Sequence, residues 1–161
     1  MQAGSIGDVI ISDTSCLLAF YEIGEMSILQ RVCGKIITTS AVQREFELLL
    51  PSWIVVCDPP EESIRYIQER FKLDPGETTA IALALSHPDS MLIIDEVAGR
   101  RVAKELGIQI TGTLGILLEA KRRGIISAIQ PLIRKLQACN FRMSKTLIAA
   151  ILTEAEENRT P

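Results

Sequence analysis

Short apolar runs rich in β-branched residues alternate with longer segments of helical periodicity along most of this chain. The runs predict strands at residues 9–11, 36–39, 53–57, 91–94 and 108–110, and the segments between them predict helices. Strands that alternate with helices pack as crossover units around a parallel sheet. We therefore expect an α/β protein, a three-layer α/β/α sandwich with a central parallel sheet of four to five strands.

The length and composition predict one domain. With 161 residues, of which 47% are apolar and 23% charged, the chain can fill a single globular core. We expect residues 1–161 to form this domain, with residues 127–161 as a helical extension packed on it. The N-terminal segment lacks the features of a secretory signal, and no apolar run approaches the roughly 20 residues of a membrane span. A soluble, cytoplasmic protein with no membrane partner is expected.

The net charge of −3 provides no general attraction for a nucleic acid. A polyanionic ligand would have to be held by local basic residues or by bound cations. Each cluster of basic residues is most simply a solvated helix face. Arg100 or Arg101, in the helix predicted after the fourth strand, is the arginine best placed to meet a substrate phosphate.

Two aspartates directly follow predicted interior strands. Asp13 comes after the first strand and Asp95 after the fourth. In open parallel sheets, ligands bind outside the carboxyl ends of the strands, where such side chains converge. Either aspartate alone is equally well explained as the N-cap of the next helix. Two of them together favour a functional site.

A glutamate accompanies the apolar stripe of the helix after the second strand. Ser40 and Gln43 are spaced as a capping box that opens this helix, and Glu45 lies on or beside its apolar side. A carboxylate that faces a core is costly unless a cation or hydrogen bonds accompany it. The alternative is a glutamate at the edge of the stripe that reaches solvent.

A second glutamate has a complete structural explanation. Asp74 and Glu77 have the spacing of a capping box, with Pro75 at the first helical position. Capping alone accounts for Glu77 without any ligand.

Carboxylates without a catalytic histidine are suited to hard divalent cations. Mg²⁺ and Mn²⁺ prefer oxygen ligands, and three or four acids suit a phosphodiesterase with one or two metal ions. Bound ions would also make an acidic pocket attractive to a backbone phosphate. The sequence has neither a P-loop nor a dinucleotide-binding glycine motif.

An ordered series of short motifs resembles a PIN domain, most closely a bacterial and archaeal subgroup of predicted nucleic-acid-binding proteins. The likeness covers nearly the whole chain, and its specificity lies in the order of the motifs. The motifs are Ile11-Ser12-Asp13-Thr14-Ser15, Val42-x-x-Glu45, Leu73-Asp74-Pro75-Gly76-Glu77, Ile93-Ile94-Asp95-Glu96, Gly99-Arg100 and Gly112-Thr113-Leu114-Gly115.

This resemblance implies a ribonuclease in which Asp13, Glu45, Glu77 and Asp95 form the catalytic site and bind Mg²⁺ or Mn²⁺, with Ser15 nearby as a substrate contact. It assigns Glu77 a ligand role in addition to capping. It also implies cleavage of single-stranded or structured RNA. Cys16 stands where the subgroup usually has proline, a departure that leaves the acids intact.

Partners also follow from the resemblance. Many similar proteins are toxins of toxin–antitoxin pairs, inhibited by a small antitoxin protein, and homodimers are common among them. Our leading hypothesis is a metal-dependent endoribonuclease. The alternative is a non-catalytic module that keeps the PIN fold and binds nucleic acid or protein, because function belongs to the site and not to the fold.

Overall fold

The strands follow the apolar runs of the sequence in the structure, a computed structural model that describes residues 8–157. They form one parallel sheet in the order β3-β2-β1-β4-β5. The predicted parallel sheet is confirmed, although the fifth strand lies one residue later than expected. The strands are β1 (Val9–Ser12), β2 (Ile36–Thr38), β3 (Ile54–Val56), β4 (Ser90–Ile93) and β5 (Gln109–Thr111).

Helices fill the connections between the strands. The first connection contains two helices because Gly24, with a φ of +72°, turns the chain where a single helix would continue. That division has no counterpart in the sequence prediction. The helices of residues 8–157 are α1 (Thr14–Glu22), α2 (Met26–Cys33), α3 (Ser40–Phe46), α4 (Glu61–Arg70), α5 (Pro75–Leu85), α6 (Val97–Glu105), α7 (Thr113–Arg122), α8 (Gln130–Ala138) and α9 (Lys145–Glu154).

Alternate residues of each strand face opposite layers. On β1, Ile10 belongs to a core shared with α1, α2, α3, α7, α8 and α9, whereas Ile11 belongs to a core shared with α4, α5 and α6. Strands of a parallel sheet are covered on both faces, which explains their continuous apolar character. The expected three-layer α/β/α sandwich is confirmed.

The last two helices pack on the first of these cores, through Ile133 of α8 and Ile151 of α9 among others. Glu157 strengthens this packing, because its carboxylate accepts hydrogen bonds from Lys121 Nζ at 2.8 Å and from the backbone N–H of Ile129 at 2.6 Å. The division of one domain into a body and an extension from residue 127 stays a prediction. Residues 158–161 of that extension lie outside the described range.

The start of α3 differs from the predicted capping box. Thr39 is the N-cap, and its hydroxyl oxygen accepts a hydrogen bond from the backbone N–H of Val42. The Ser40 hydroxyl donates instead to Asp58, which also accepts from the Ser40 backbone N–H. The prediction that Ser40 caps the helix with Gln43 is therefore wrong, because a distant aspartate binds the serine.

Within the described residues, no helix has both the length and the apolar character needed to cross a lipid bilayer. The expectation that the chain carries no secretory signal concerns residues 1–7, which lie outside the described part.

Candidate active site

Two carboxylates lie at the carboxyl edge of the sheet, where the two central strands end side by side. Ser12 at the end of β1 pairs with Ile93 at the end of β4, and the backbone N–H of Asp13 donates to the carbonyl of Ile93 at 3.0 Å. Asp95 follows two residues after β4. The connection after β1 leads to β2 on one side of the sheet, whereas the connection after β4 leads to β5 on the other side. Between two such connections lies the crevice where open α/β sheets bind ligands.

Asp13 is buried, with only 2% of its surface exposed. It occupies the N-cap position of α1, yet its side chain accepts no capping hydrogen bond there. Its Oδ1 atom is buried and has no hydrogen-bond partner among residues 8–157. The pKa of Asp13 is raised from 3.8 to about 7, chiefly by burial and in smaller part by the charges of Glu45, Asp95 and Glu96, whereas the backbone N–H of Thr14 opposes the rise.

Asp95 is held by the start of α7. Thr113 donates twice to its carboxylate, from the backbone N–H to Oδ1 at 2.9 Å and from the hydroxyl to Oδ2 at 2.7 Å. Glu96, not Asp95, is the N-cap of α6, so the interpretation of Asp95 as a simple cap of the next helix is wrong. Burial raises the pKa of Asp95, whereas the Thr113 hydrogen bonds and the Arg100 charge oppose the rise.

Glu45 differs from the expectation of a core-facing carboxylate, because the residue is exposed at the edge of the α3 stripe. Its carboxylate nevertheless has fixed partners. The Thr14 hydroxyl donates to Oε2 at 2.5 Å, and the backbone N–H of Gly76 donates to Oε1 at 2.8 Å. Glu45 thereby joins the start of α1 to the start of α5.

Glu77 lies in the first turn of α5 and is buried, with 7% of its surface exposed. Asp74 is the N-cap of this helix as predicted, but its side chain makes no capping hydrogen bond, so a complete capping box does not explain Glu77. Burial raises the pKa of Glu77 from 4.5 to about 7, with Asp13 and Asp74 as the next largest causes.

These shifts show that the four predicted acids share one electrostatic environment. Asp13 interacts with Glu45 and Asp95, and Glu77 interacts with Asp13 and Glu45. We call Asp13, Glu45, Glu77 and Asp95 the acid cluster. Two exposed acids that were not predicted as site residues, Asp74 and Glu96, contribute to the same field. The sequence signal that could have identified them is their position, since Glu96 directly follows Asp95 and Asp74 lies three residues before Glu77.

Two glycines provide the space that the acid cluster occupies. A Cβ atom at Gly76 would collide with the Glu45 carboxylate. A Cβ atom at Gly112 would lie 2.7 Å from Asp95 Oδ1 and 3.1 Å from Arg100 Nη1. At such distances a neighbouring group would have to move. The absence of a side chain at each glycine therefore allows the carboxylates of Glu45 and Asp95 to lie close to the backbone.

The two predicted substrate contacts border the cluster. Arg100 is half-buried, and its Nη1 donates to the carbonyl oxygen of Ile94 at 2.7 Å. Ser15 lines a cavity of about 460 Å³ together with Asp95 and Glu96. Both residues therefore lie near Asp95, and their role as substrate contacts stays a prediction.

The chemistry of the cluster fits a hard divalent cation. It offers carboxylate oxygens, one of them buried without a hydrogen-bond partner in the described part of the chain, and two carboxyls whose pKa values are raised to about 7. A nearby cation would lower those pKa values by favouring the charged forms. In residues 8–157, however, no three histidine, cysteine, aspartate or glutamate side chains are arranged to hold one ion as they stand.

Comparison with known proteins identifies the fold family. A family model described as a PIN domain matches residues 9–157, which include every acid of the cluster. No curated protein matches the chain. PIN domains are generally nucleases and typically use divalent metal ions. The parallel sheet and the match over nearly the whole sequence lead to one conclusion: the chain belongs to the PIN-domain family.

Proposed function

We propose that this protein is a metal-dependent endoribonuclease that hydrolyses RNA phosphodiester bonds with Mg²⁺ or Mn²⁺. The observation that carries the proposal is the buried Oδ1 atom of Asp13, which has no hydrogen-bond partner in residues 8–157 and lies among further carboxylates. An unpartnered buried carboxylate oxygen is costly, and a cation would offset that cost.

All four residues of the acid cluster would hold the metal. Asp13 and Glu77 are the carboxylates whose pKa values rise to about 7, chiefly because burial penalises their charged forms and in smaller part because other acids lie nearby, and a bound cation would offset both effects. Glu45 and Asp95 already have their orientation fixed by Thr14 and Thr113. When bound, the cation would supply an activated water and neutralise charge on the scissile phosphate.

Other residues of the chain would orient the reaction. Thr113 holds both oxygens of Asp95, so its role is positioning, and partners of this kind typically change activity by about 10- to 100-fold. Arg100 carries a positive charge beside Asp95 and would contact a phosphate oxygen of the substrate. The hydroxyl of Ser15 would donate to the substrate from the cavity that Ser15 lines with Asp95 and Glu96.

The test is cleavage of a mixed-sequence single-stranded RNA by the purified protein with Mn²⁺, with Mg²⁺ or with EDTA. We expect cleavage with metal only, and its loss in Asp13→Ala and Asp95→Ala. Asp89→Ala is the matched control, since Asp89 is exposed at the opposite edge of the sheet, directly before β4. Unchanged cleavage in both cluster variants would exclude this site as the source of activity.

The biological role and assembly are finer proposals. The resemblance to toxin-like ribonucleases supports a toxin of a toxin–antitoxin pair, held inactive by a small antitoxin protein, and it supports a homodimer. Analytical ultracentrifugation tests the dimer, and growth arrest on expression that requires Asp13 and Asp95 tests the toxin. Arrest by the Asp13→Ala variant would argue against toxicity through RNA cleavage.

The second candidate is a non-catalytic module that binds RNA or a protein partner. Two observations favour it. In the described chain, no three of the acids converge on one ion, and the carboxylates of Glu45 and Asp95 already accept hydrogen bonds from the protein. A measurement of divalent-ion binding by the purified protein distinguishes the metal-dependent nuclease from the non-catalytic module. Tight RNA binding in EDTA, without cleavage in any metal, would favour the module.

A further inference from the structure

The loop between α8 and α9 divides two cavities that meet at Asp95. One cavity, of about 370 Å³, we call the apolar cavity, and the other, of about 460 Å³, we call the polar cavity. Both are lined by Asp95 and Val97 of the acid-bearing edge and by Phe141 and Arg142 of the loop. The loop therefore forms a partition that stands next to a catalytic acid of the proposed function.

The apolar cavity has the character of a pocket for a flat organic group. Its wall includes aliphatic side chains from β5, α7 and α9, namely Ile110, Leu114, Leu147 and Ile151. Arg100 lies at the side of the cavity that contains Asp95. A mostly apolar cleft of a few hundred Å³ with a small number of polar groups at one end is typical of a small-ligand site.

Phe141 offers an aromatic surface to this pocket. The residue is half-buried, packs against the first core and also lines both cavities. Arg142 beside it is exposed. Val97 is 82% exposed although it is aliphatic and lies in the first turn of α6, two residues after Asp95. An exposed aliphatic side chain, an aromatic ring and an arginine thus surround one carboxylate.

An unpaired nucleobase matches this combination. Its flat face stacks on phenylalanine or on an arginine guanidinium, and its strand carries a phosphate that Arg100 and Arg142 would attract. Because the chain has a net charge of −3, RNA binding must come from such local contacts. A base in a duplex stays stacked on its neighbours and cannot enter such a cleft.

We propose that the apolar cavity binds one unpaired base that flanks the cleaved phosphate, and that Phe141 is the positioning residue against which this base stacks. The inference rests on the proposed nuclease function and adds the specificity element, the loop between α8 and α9. It predicts a requirement for single-stranded RNA at the cut, since the strand must pass Asp95 with one base turned into the cavity.

The test combines a change in the protein with a change in the substrate. Single-stranded RNAs cut at one defined bond are prepared with an abasic nucleotide at one or the other flanking position. For the wild-type protein, loss of the base at one of these positions should lower kcat/KM by about 5- to 150-fold, the range for one stacked base. In Phe141→Leu, the abasic and normal RNAs should be cut at similar rates.

The variants are chosen so that misfolding cannot imitate the result. Phe141→Leu keeps an apolar side chain against the core, and Phe141→Trp should restore the preference for the normal RNA. Tyr66→Ala is the matched control, because Tyr66 is an exposed aromatic residue covered by Arg70 at 3.8 Å on α4 and lines neither cavity. An equal abasic penalty in wild type and Phe141→Leu, or none at either position, would overturn the proposal.

Failure of the nuclease function is recognised separately, because wild-type protein would then cut none of these RNAs. The base pocket is in that case judged by binding in EDTA, with 2-aminopurine in place of one base of a single-stranded RNA. Quenching of its fluorescence by wild type and by Tyr66→Ala, but not by Phe141→Leu, supports the pocket. Binding with equal fluorescence in all three proteins overturns it.

Discussion

Replacing Asp13 by asparagine should stabilise the metal-free protein at high pH. Burial raises the pKa of Asp13 from 3.8 to about 7, so the folded state resists its ionisation. A group with a raised pKa contributes stability that is fully present below its unfolded pKa and is lost as the pH rises through the folded value. Asparagine stays neutral, and the Asp13→Asn protein avoids that loss.

The size of the effect follows from the rise of the pKa from 3.8 to about 7, which at about 1.36 kcal/mol per pH unit gives on the order of 4 kcal/mol. For a chain of this length, the difference corresponds to a change in Tm of roughly 8–16 °C. The quantity that tests the prediction is the increase, from pH 4 to pH 8, in the difference in free energy of unfolding between Asp13→Asn and wild type. Any effect of asparagine on packing that does not depend on pH cancels from this increase.

The assay is chemical or thermal unfolding of both proteins in EDTA at pH 4, 6 and 8. Asp89→Asn is the control, because Asp89 is an exposed aspartate outside the site. Added Mg²⁺ at pH 8 should stabilise the wild type and reduce its disadvantage, since the cation compensates the carboxylate. A stability difference that is the same at pH 4 and pH 8 would refute the account of Asp13.

Two further predictions concern the groups that hold Asp95. Thr113→Val removes the 2.7 Å hydrogen bond to Asp95 Oδ2 at nearly constant side-chain volume. We expect the rate of RNA cleavage to fall about 10- to 100-fold while the fold stays intact. Full activity would show that the Thr113 hydroxyl does not position the acid. Gly112→Ala places a methyl group 2.7 Å from Asp95 Oδ1, so unfolding experiments should show a loss of about 1–3 kcal/mol, accompanied by loss of cleavage. Unchanged stability and cleavage would mean that the backbone can move away. Backbone strain does not contribute to this loss, because Gly112 has an extended backbone with a φ of −131°.

The strands and the two aspartates could be predicted because their signals are local. A continuous apolar run that ends in a polar residue identifies both the buried strand and its carboxyl end, as at Ile93 and Asp95. Parallel strands then bring such ends to one edge of the sheet. The assignment of Asp13 to the same edge as Asp95 needed no further information.

The partners of the acids could not be predicted, because they depend on how distant elements pack. Asp95 and Thr113 are 18 residues apart, and their contact follows from the pairing of β4 with β5. The direction of the Glu45 side chain likewise depends on the position of α5, whose Gly76 donates to it. The N-cap of α3 depends on a distant residue in the same way. Thr39 and Ser40 both carry a hydroxyl, but the Ser40 hydroxyl donates to Asp58, and Thr39 is the cap.

The four residues of the acid cluster precede Thr113 in the sequence, and this order matters while the protein is being synthesised. Its four acids lie between residues 13 and 95, and Asp95 accepts two hydrogen bonds from Thr113. The described strands all pair in parallel and join segments distant in sequence. A nascent chain cannot form the complete site until Thr113 has left the ribosome and β4 has paired with β1. If the protein cleaves RNA, the ribosome that makes it is exposed to an active site only after most of the domain has folded.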